Sequence, residues 1–267
     1  MSEHQIQDLS HAQYLAADGV SNSMLAVIRE KTPMHLRWQM HNPGEPTEAQ
    51  IMGTLVHAAI LLPDDKPAFH VRPQGLDMRT KDGKEWAAEH ADLPCLSSDA
   101  AASIDAMRMA VHRHPTASRL LKNADYERSL FVKDDAGTLR KLRPDILPHG
   151  GNILPDLKTC IDASESEFSK SIANYGYYCQ AAYYLDGCKL AGRAFQNFAF
   201  IAVEKTPPYA VAVYVLDFTA VEYGRRLYQR DLQVYRNCVE SGVWPGYSDT
   251  ATCIGLPPWL AKEAEQI

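Results

Sequence analysis

Two carboxylates and an amine lie close together in the middle of the chain. Arg143-Pro144-Asp145 closes one alternating run, and Pro155-Asp156-Leu157-Lys158 lies in the next. Side chains two apart on a strand project from the same face, so Asp156 and Lys158 share a surface while Leu157 turns to the core. Gly150-Gly151 predicts a hairpin that folds the second strand back along the first and brings Asp145 towards Asp156. Two convergent carboxylates suit a hard cation such as Mg²⁺, which prefers oxygen ligands and keeps waters that can be activated. Lys158 would then orient or deprotonate such a water beside a phosphate. Ile153, Leu154 and Leu157 surround the pair with core-like residues, which sets it apart from an ordinary solvated strand face.

Elements must hold that set in place. Ser21 reads as the cap of a short helix carrying Met24, Leu25, Val27 and Ile28, which His41-Asn-Pro-Gly-Glu-Pro46 breaks. Thr47 to Leu62 reads as a second helix, dense enough in Ile51, Met52, Leu55, Val56, Ala59 and Ile60 to be buried, with Pro63 and Asp64 ending it. Residues 65–93 read as polar loop, and Ser97 or Ser98 caps a helix reaching about Lys122 that ends or restarts at His114-Pro115. Glu127 to Lys133 then alternates, Asp134-Asp-Ala-Gly137 predicts a turn, Thr138 to Ile146 alternates again, and Asn152 to Lys158 adds a third strand, giving a meander. A helix from Glu165 to Leu190 follows, then strands Phe195–Val203 and Tyr209–Leu216 joined through Lys205-Thr-Pro-Pro208, then a helix from Thr219 to Glu240. With no internal repeat or low-complexity linker, the expectation is one α/β domain over 1–267: a mainly helical part (1–122), a core (123–245) and a C-terminal tail (246–267).

The chain has 267 residues, of which 46% are hydrophobic and 22% charged, which excludes disordered and fibrous classes. No apolar run approaches the roughly 18 residues of a membrane span, and the N-terminus lacks the basic and apolar regions of an export signal, so a cytoplasmic protein is expected. Its six cysteines include no CxxC pair and read as reduced thiols rather than zinc or iron-sulfur ligands. A formal charge of −6 gives no global footprint for nucleic acid, so any DNA-binding surface must be local.

The order of strands, turn, strand, turn, strand and helix around Asp145 and Asp156-Leu157-Lys158 resembles the PD-(D/E)xK nuclease superfamily, whose fold would be a restriction-endonuclease-like core: a mixed central sheet flanked by helices, here with an α-helical N-terminal part. Gln180-Ala-Ala-Tyr-Tyr184 is similar to the Q-x3-Y element of RecB-like nucleases, and Gly53-Thr-Leu-Val-His57 to their G-x3-H helix. Together with Ser21-Asn-Ser-Met-Leu, Arg79-Thr-Lys-Asp-Gly-Lys84, His114-Pro, Trp244-Pro-Gly and Leu256-Pro-Pro-Trp259, these landmarks resemble the nuclease domain of the exodeoxyribonuclease VIII (RecE) family over nearly the whole chain. The resemblance implies ATP-independent resection of duplex DNA ends in the 5′ to 3′ direction, leaving a 3′ tail for a RecT-type annealing partner, by a ring-like tetramer. It implies that His57, Asp145, Asp156 and the Leu157 carbonyl hold Mg²⁺, or Mn²⁺, which the imidazole also suits. Lys158 would position the attacking water, and Gln180 and Tyr184 would hold the metal site or the DNA strand. Glu127 falls where many RecB-like enzymes carry another acid; an exposed strand end is the equal alternative.

Phosphate contacts are expected from Arg72, Arg79, Lys81 and Lys84 in the long loop and from Arg140, Lys141 and above all Arg143 near the acids, giving salt-sensitive binding without sequence readout. Asp82-Gly-Lys84-Glu lacks the glycine and the hydroxyl of a phosphate loop, so no nucleotide hydrolysis is implied; His112 and His114 point apart on a helix, which argues against a metal pair; and no G-x-S-x-G occurs, which argues against acyl transfer. The rivals are another RecB-like nuclease, either an endonuclease or one of opposite polarity, and a non-catalytic DNA-binding module.

Overall fold

The computed structural model describes residues 4–62 and 69–257. Pro63, Asp64, Pro258 and Trp259, named above as helix terminators and as part of a closing motif, lie outside those residues.

A strand β1 (His4–Gln7) leads into four helices, α1 (His11–Ala16), α2 (Asn22–Glu30), α3 (Pro33–His41) and α4 (Glu48–Leu61). Each begins on a hydroxyl: Ser10, Ser21, Thr32 and Thr47 accept from the backbone N–H groups of Gln13, Met24, His35 and Gln50. These groups have no partner within the helix, so each cap fixes where its helix starts. The Ser21 and Thr47 helices match the expectation; β1, α1 and α3 are additions to it.

The segment expected as loop contains β2 (His70–Val71) and α5 (Lys81–Glu89), the latter capped by Thr80. Then come β3 (Cys95–Leu96), α6 (Ser98–Arg113) and α7 (Pro115–Leu120), the chain restarting at Pro115 because proline has no N–H to give at a first helical turn.

The remaining elements are β4 (Ala124–Tyr126), β5 (Ser129–Lys133), β6 (Leu139–Leu142), β7 (Ile146–Pro148), β8 (Ile153–Cys160), α8 (Glu165–Asn174), α9 (Tyr177–Leu190), β9 (Asn197–Glu204), β10 (Val211–Val215) and α10 (Phe218–Ser241). The Asp134–Gly137 turn joins β5 and β6 as an antiparallel hairpin, with β1 on the other edge of β5.

The expected meander does not continue. Strand β7 pairs with β4, while β8 runs parallel to β9, which pairs antiparallel with β10. Pro144 lacks the N–H a ladder needs, and at Arg143-Pro144-Asp145 the chain leaves one sheet before joining another. The Gly150-Gly151 turn still lays β7 beside β8.

Side chains of β9 alternate between two cores, as a strand covered on both faces requires. Phe198, Phe200 and Ala202 join Leu25, Ile28, Tyr183, Tyr228 and Leu232 on the side of α2, α9 and α10. Ile201 and Val203 join Leu55, Val56, Ile60, Ile104, Met107 and Val111 on the side of α4 and α6. The mixed sheet flanked by helices is therefore present.

The expected helix from Glu165 to Leu190 is two helices. Gly176 has φ +63°, a left-handed conformation that breaks the run between α8 and α9. Helix α9 packs on α10 so closely that a Cβ on Gly224 would lie 2.1 Å from the Tyr178 carbonyl oxygen. No helix among the described residues is long and apolar enough to cross a membrane.

Candidate active site

Five elements converge on one partly buried pocket. Helix α4 supplies His57, the junction of β6 and β7 supplies Asp145, the junction of β4 and β5 supplies Glu127, β8 supplies Asp156, Leu157 and Lys158, and α9 supplies Gln180 and Tyr184. His57 Nδ1 lies 3.6 Å from Asp145 Oδ2 and 3.9 Å from Glu127 Oε1. Asp145 Oδ2 accepts the backbone N–H of Leu157 at 2.9 Å, which ties the β6–β7 corner to β8. The two acids thus converge as expected, through a side chain to backbone bond rather than a strand ladder.

Asp156 is 1% exposed: the Gln180 amide donates to Oδ1 at 2.9 Å, and Oδ2, which has no hydrogen-bond partner among the described residues, forms an ion pair with Lys158 Nζ at 2.6 Å. The ligand atoms of His57, Glu127 and Asp145 all lie within 4.8 Å of one another, and the Leu157 backbone carbonyl faces the His57 ring. The compact trio joins Glu127 to the expected His57 and Asp145, and Asp156 stands beside it, within side-chain hydrogen-bond reach of Asp145.

Glu127 is reached by strain. Its φ of +52° is in the left-handed region that residues with a Cβ seldom adopt, a cost of order 1–3 kcal/mol tolerated only where surrounding contacts enforce it. Arg143 enforces it. Its Nε donates to Glu127 Oε2 at 2.8 Å, and Nη1 donates to the Leu9 carbonyl at 2.8 Å and to Ser129 Oγ at 2.7 Å. Arg143, expected at the DNA backbone, is spent inside the protein as the brace of Glu127.

Burial and charge set the protonation states. Burial above all raises the Asp145 carboxyl to about 7, with Lys158 opposing and Glu127 adding. The Asp156 carboxyl rises to about 6, again mainly by burial and then by the charge of Asp145. His57 is lowered by burial and by Lys158, so its ring is neutral near pH 7 and able to donate a lone pair. Burial disfavours the Lys158 ammonium, but Asp156 and Asp145 outweigh it and hold its pKa above the ordinary lysine value. Burial, with Tyr14, Asp145 and Asp156, holds the Tyr184 phenol well above the ordinary range, so it is a neutral neighbour of the acids.

A neutral imidazole and two carboxylates at the mouth of a buried pocket form a donor set for a divalent cation. The raised carboxyls are negative charge that the protein itself leaves incompletely balanced, which a cation would relieve.

The other expected DNA contacts divide. Arg140 is buried, donates to the Tyr183 carbonyl at 3.0 Å and lies 4.2 Å from the centre of that residue's ring. Lys141 is buried and donates to the carbonyls of Tyr14, Leu15 and Ala17, ending α1. Neither faces solvent, because desolvated cations recover their losses from carbonyls and ring faces. Arg79, Lys81 and Lys84 are exposed at the start of α5, with Arg79 held by Asp77 and Lys81 3.6 Å from Glu85. Sequence reasoning left Glu127 open and missed the role of Arg143; the arginine directly before Pro144-Asp145 was the available signal.

Comparison with known proteins bears on the fold. The crystal structure of a proposed exonuclease from Eubacterium rectale superimposes with a TM-score of 0.63 at 10% identity, covering 98% of this chain and 100% of that one. An alkaline exonuclease from Laribacter hongkongensis matches at 12% identity, covering 82% of this chain and 96% of that one, with a TM-score of 0.29. No curated protein matches the chain. Residues 21–257 match the family described as a PDDEXK-like domain of unknown function (DUF3799). That span includes every residue of the pocket, and the chain belongs to this PDDEXK-like family, within the PD-(D/E)xK nuclease superfamily and with its restriction-endonuclease-like core.

Proposed function

We propose that the chain is a divalent-metal-dependent nuclease, and more narrowly an ATP-independent exodeoxyribonuclease that resects linear duplex DNA 5′ to 3′ and leaves a 3′ single-stranded tail. The observation that carries the hydrolytic reading is the meeting of a neutral His57, Glu127 and Asp145 beside an ammonium, Lys158, that Asp156 holds in place. A divalent ion in that donor set, Mg²⁺ or Mn²⁺, supplies positive charge for the phosphoryl oxygens and acidifies water. Because Asp156 and Asp145 keep Lys158 protonated, its part is to donate to the attacking water or the phosphate rather than to accept a proton. Gln180 fixes the Asp156 carboxylate and thereby the direction of the Lys158 amine.

The narrower reading rests on resemblance. The RecE-like landmarks run from Ser21 to the closing segment, and the solved protein that shares the fold over its full length is described as a proposed exonuclease. The same resemblance supports duplex DNA ends as substrate, a ring-like tetramer and a RecT-type annealing protein as partner; a cytoplasmic location is proposed alongside. Arg79, Lys81 and Lys84 are proposed to contact phosphates.

Digestion of linear duplex labelled at either end tests the reading. Mg²⁺-dependent release of the 5′ label with closed circles intact is expected. Cleavage of circles identifies an endonuclease, early release of the 3′ label reverses the polarity, and DNA binding without metal-dependent cleavage identifies a binding module.

A further inference from the structure

The corner between α8 and α9 presents aromatic rings that the hydrolytic chemistry above does not use. Tyr175 ends α8 with 69% of its surface exposed. One face of its ring stacks on Tyr177, with centroids 5.5 Å apart and planes inclined by 28°. Tyr177 in turn covers Lys158, whose Nζ lies 4.8 Å from the ring centroid. An exposed aromatic is therefore joined, ring to ring to ammonium, to the group that would face the scissile phosphate. The left-handed Gly176 makes this possible, since a continuous helix would not turn two tyrosines on either side of one corner into a stack.

We infer that the outer face of Tyr175 is the platform on which a nucleobase of the strand entering the pocket stacks, a proposal that rests on the nuclease reading. A base is flat, apolar on its faces and tethered to its phosphate, so a phosphate drawn to Lys158 brings a neighbouring base within reach of a ring two contacts away. Stacking accepts every base, which suits digestion without sequence preference. A second stacked pair, Tyr178 and Tyr223, also exposes a ring, since Tyr223 is 55% exposed. Neither of its rings touches Lys158, so it serves as a control.

The test uses a duplex with a short single-stranded 5′ overhang carrying one 2-aminopurine between abasic sites, with Ca²⁺ replacing Mg²⁺ to hold turnover off. Fluorescence of the free probe is high, and stacking on Tyr175 quenches it. Tyr175→Ala is expected to abolish the quench and weaken binding about tenfold, Tyr175→Phe to restore both, and Tyr223→Ala to behave as the unaltered protein. An unchanged quench in Tyr175→Ala, an equal loss in Tyr223→Ala, or no quench with the unaltered protein overturns the platform. Thermal melts confirm that each variant is folded. End-labelled digestion in Mg²⁺ separates the two readings: cleavage without quench removes the platform and keeps the nuclease, whereas quench without cleavage removes the nuclease and keeps the platform.

Discussion

The Gln180 side-chain amide donates to one oxygen of Asp156 at 2.9 Å while Lys158 approaches the other to 2.6 Å, so a single buried carboxylate orients the amine on its own strand and is itself oriented by the neighbouring helix. Gln180→Ala removes only the outer bond. Loss of a hydrogen bond of this kind typically costs 10–100-fold in activity, and a fall in kcat of about that size is expected in Mg²⁺-dependent digestion. Gln180→Glu places a second carboxylate against Asp156 and is expected to reduce activity further.

Asp145 is expected to separate activity from stability. With its carboxyl raised by burial and by nearby negative charge, the ionised form costs the native state energy at neutral pH. Asp145→Asn removes that charge yet keeps an oxygen for the Leu157 N–H. In EDTA at pH 8 the variant should melt at or above the temperature of the parent protein, while digestion in Mg²⁺ falls by about a hundredfold or more, as expected for loss of a metal ligand.

The pH dependence follows from Asp145 near 7 and Asp156 near 6, both above the unfolded value of 3.8. Between those limits the native state holds more protons than the unfolded chain, so their contribution favours folding at low pH and is lost as pH rises through 6 and 7. A cation must displace the same protons, so its affinity rises with pH by up to about tenfold per unit for each proton released. The rise in melting temperature produced by Mg²⁺ should therefore be small at pH 5.5 and larger at pH 8, measured against EDTA at each pH.

Arg143 braces Glu127 without reaching the metal pocket itself. Arg143→Ala leaves Glu127 free to relax from its left-handed backbone and is expected to weaken Mn²⁺ binding about tenfold by calorimetric titration. Lys at this position keeps the charge but loses the fork that serves Glu127, Leu9 and Ser129 together, and should recover only part of the affinity.

Gly224→Ala addresses the scaffold. The added methyl would meet the Tyr178 carbonyl at 2.1 Å, forcing α10 away from α9, the helix that carries Gln180 and Tyr184. A loss of about 1–3 kcal/mol in denaturant unfolding is expected, with a parallel drop in activity.

What the sequence showed of all this follows its local signals. Ser21, Thr47 and Ser97 each cap a helix, Asp134–Gly137 makes its hairpin, and Asp145, Asp156, Lys158, His57 and Gln180 meet in one place. What was not legible depends on distant partners. Strand β1 reads His-Gln-Ile-Gln, a polar stretch that is a strand only because β5 offers it an edge. Arg140 and Lys141 look like surface charge until Tyr183 and the end of α1 are folded around them. Glu127 joins the pocket through a backbone conformation that its neighbours impose, which no residue type announces. The break at Gly176 was written in the sequence, but the apolar pattern running through it hid the corner.

Because His4 to Gln7 pair with Ser129 to Val132, and the Leu9 carbonyl receives Arg143, the segment before α1 belongs to the brace that holds Glu127. The Arg143–Leu9 bond joins positions 134 residues apart, and closure over that separation is slow relative to local helix formation. The helices would therefore form well before Glu127 is braced, which makes the donor set one of the last features of the fold to be completed.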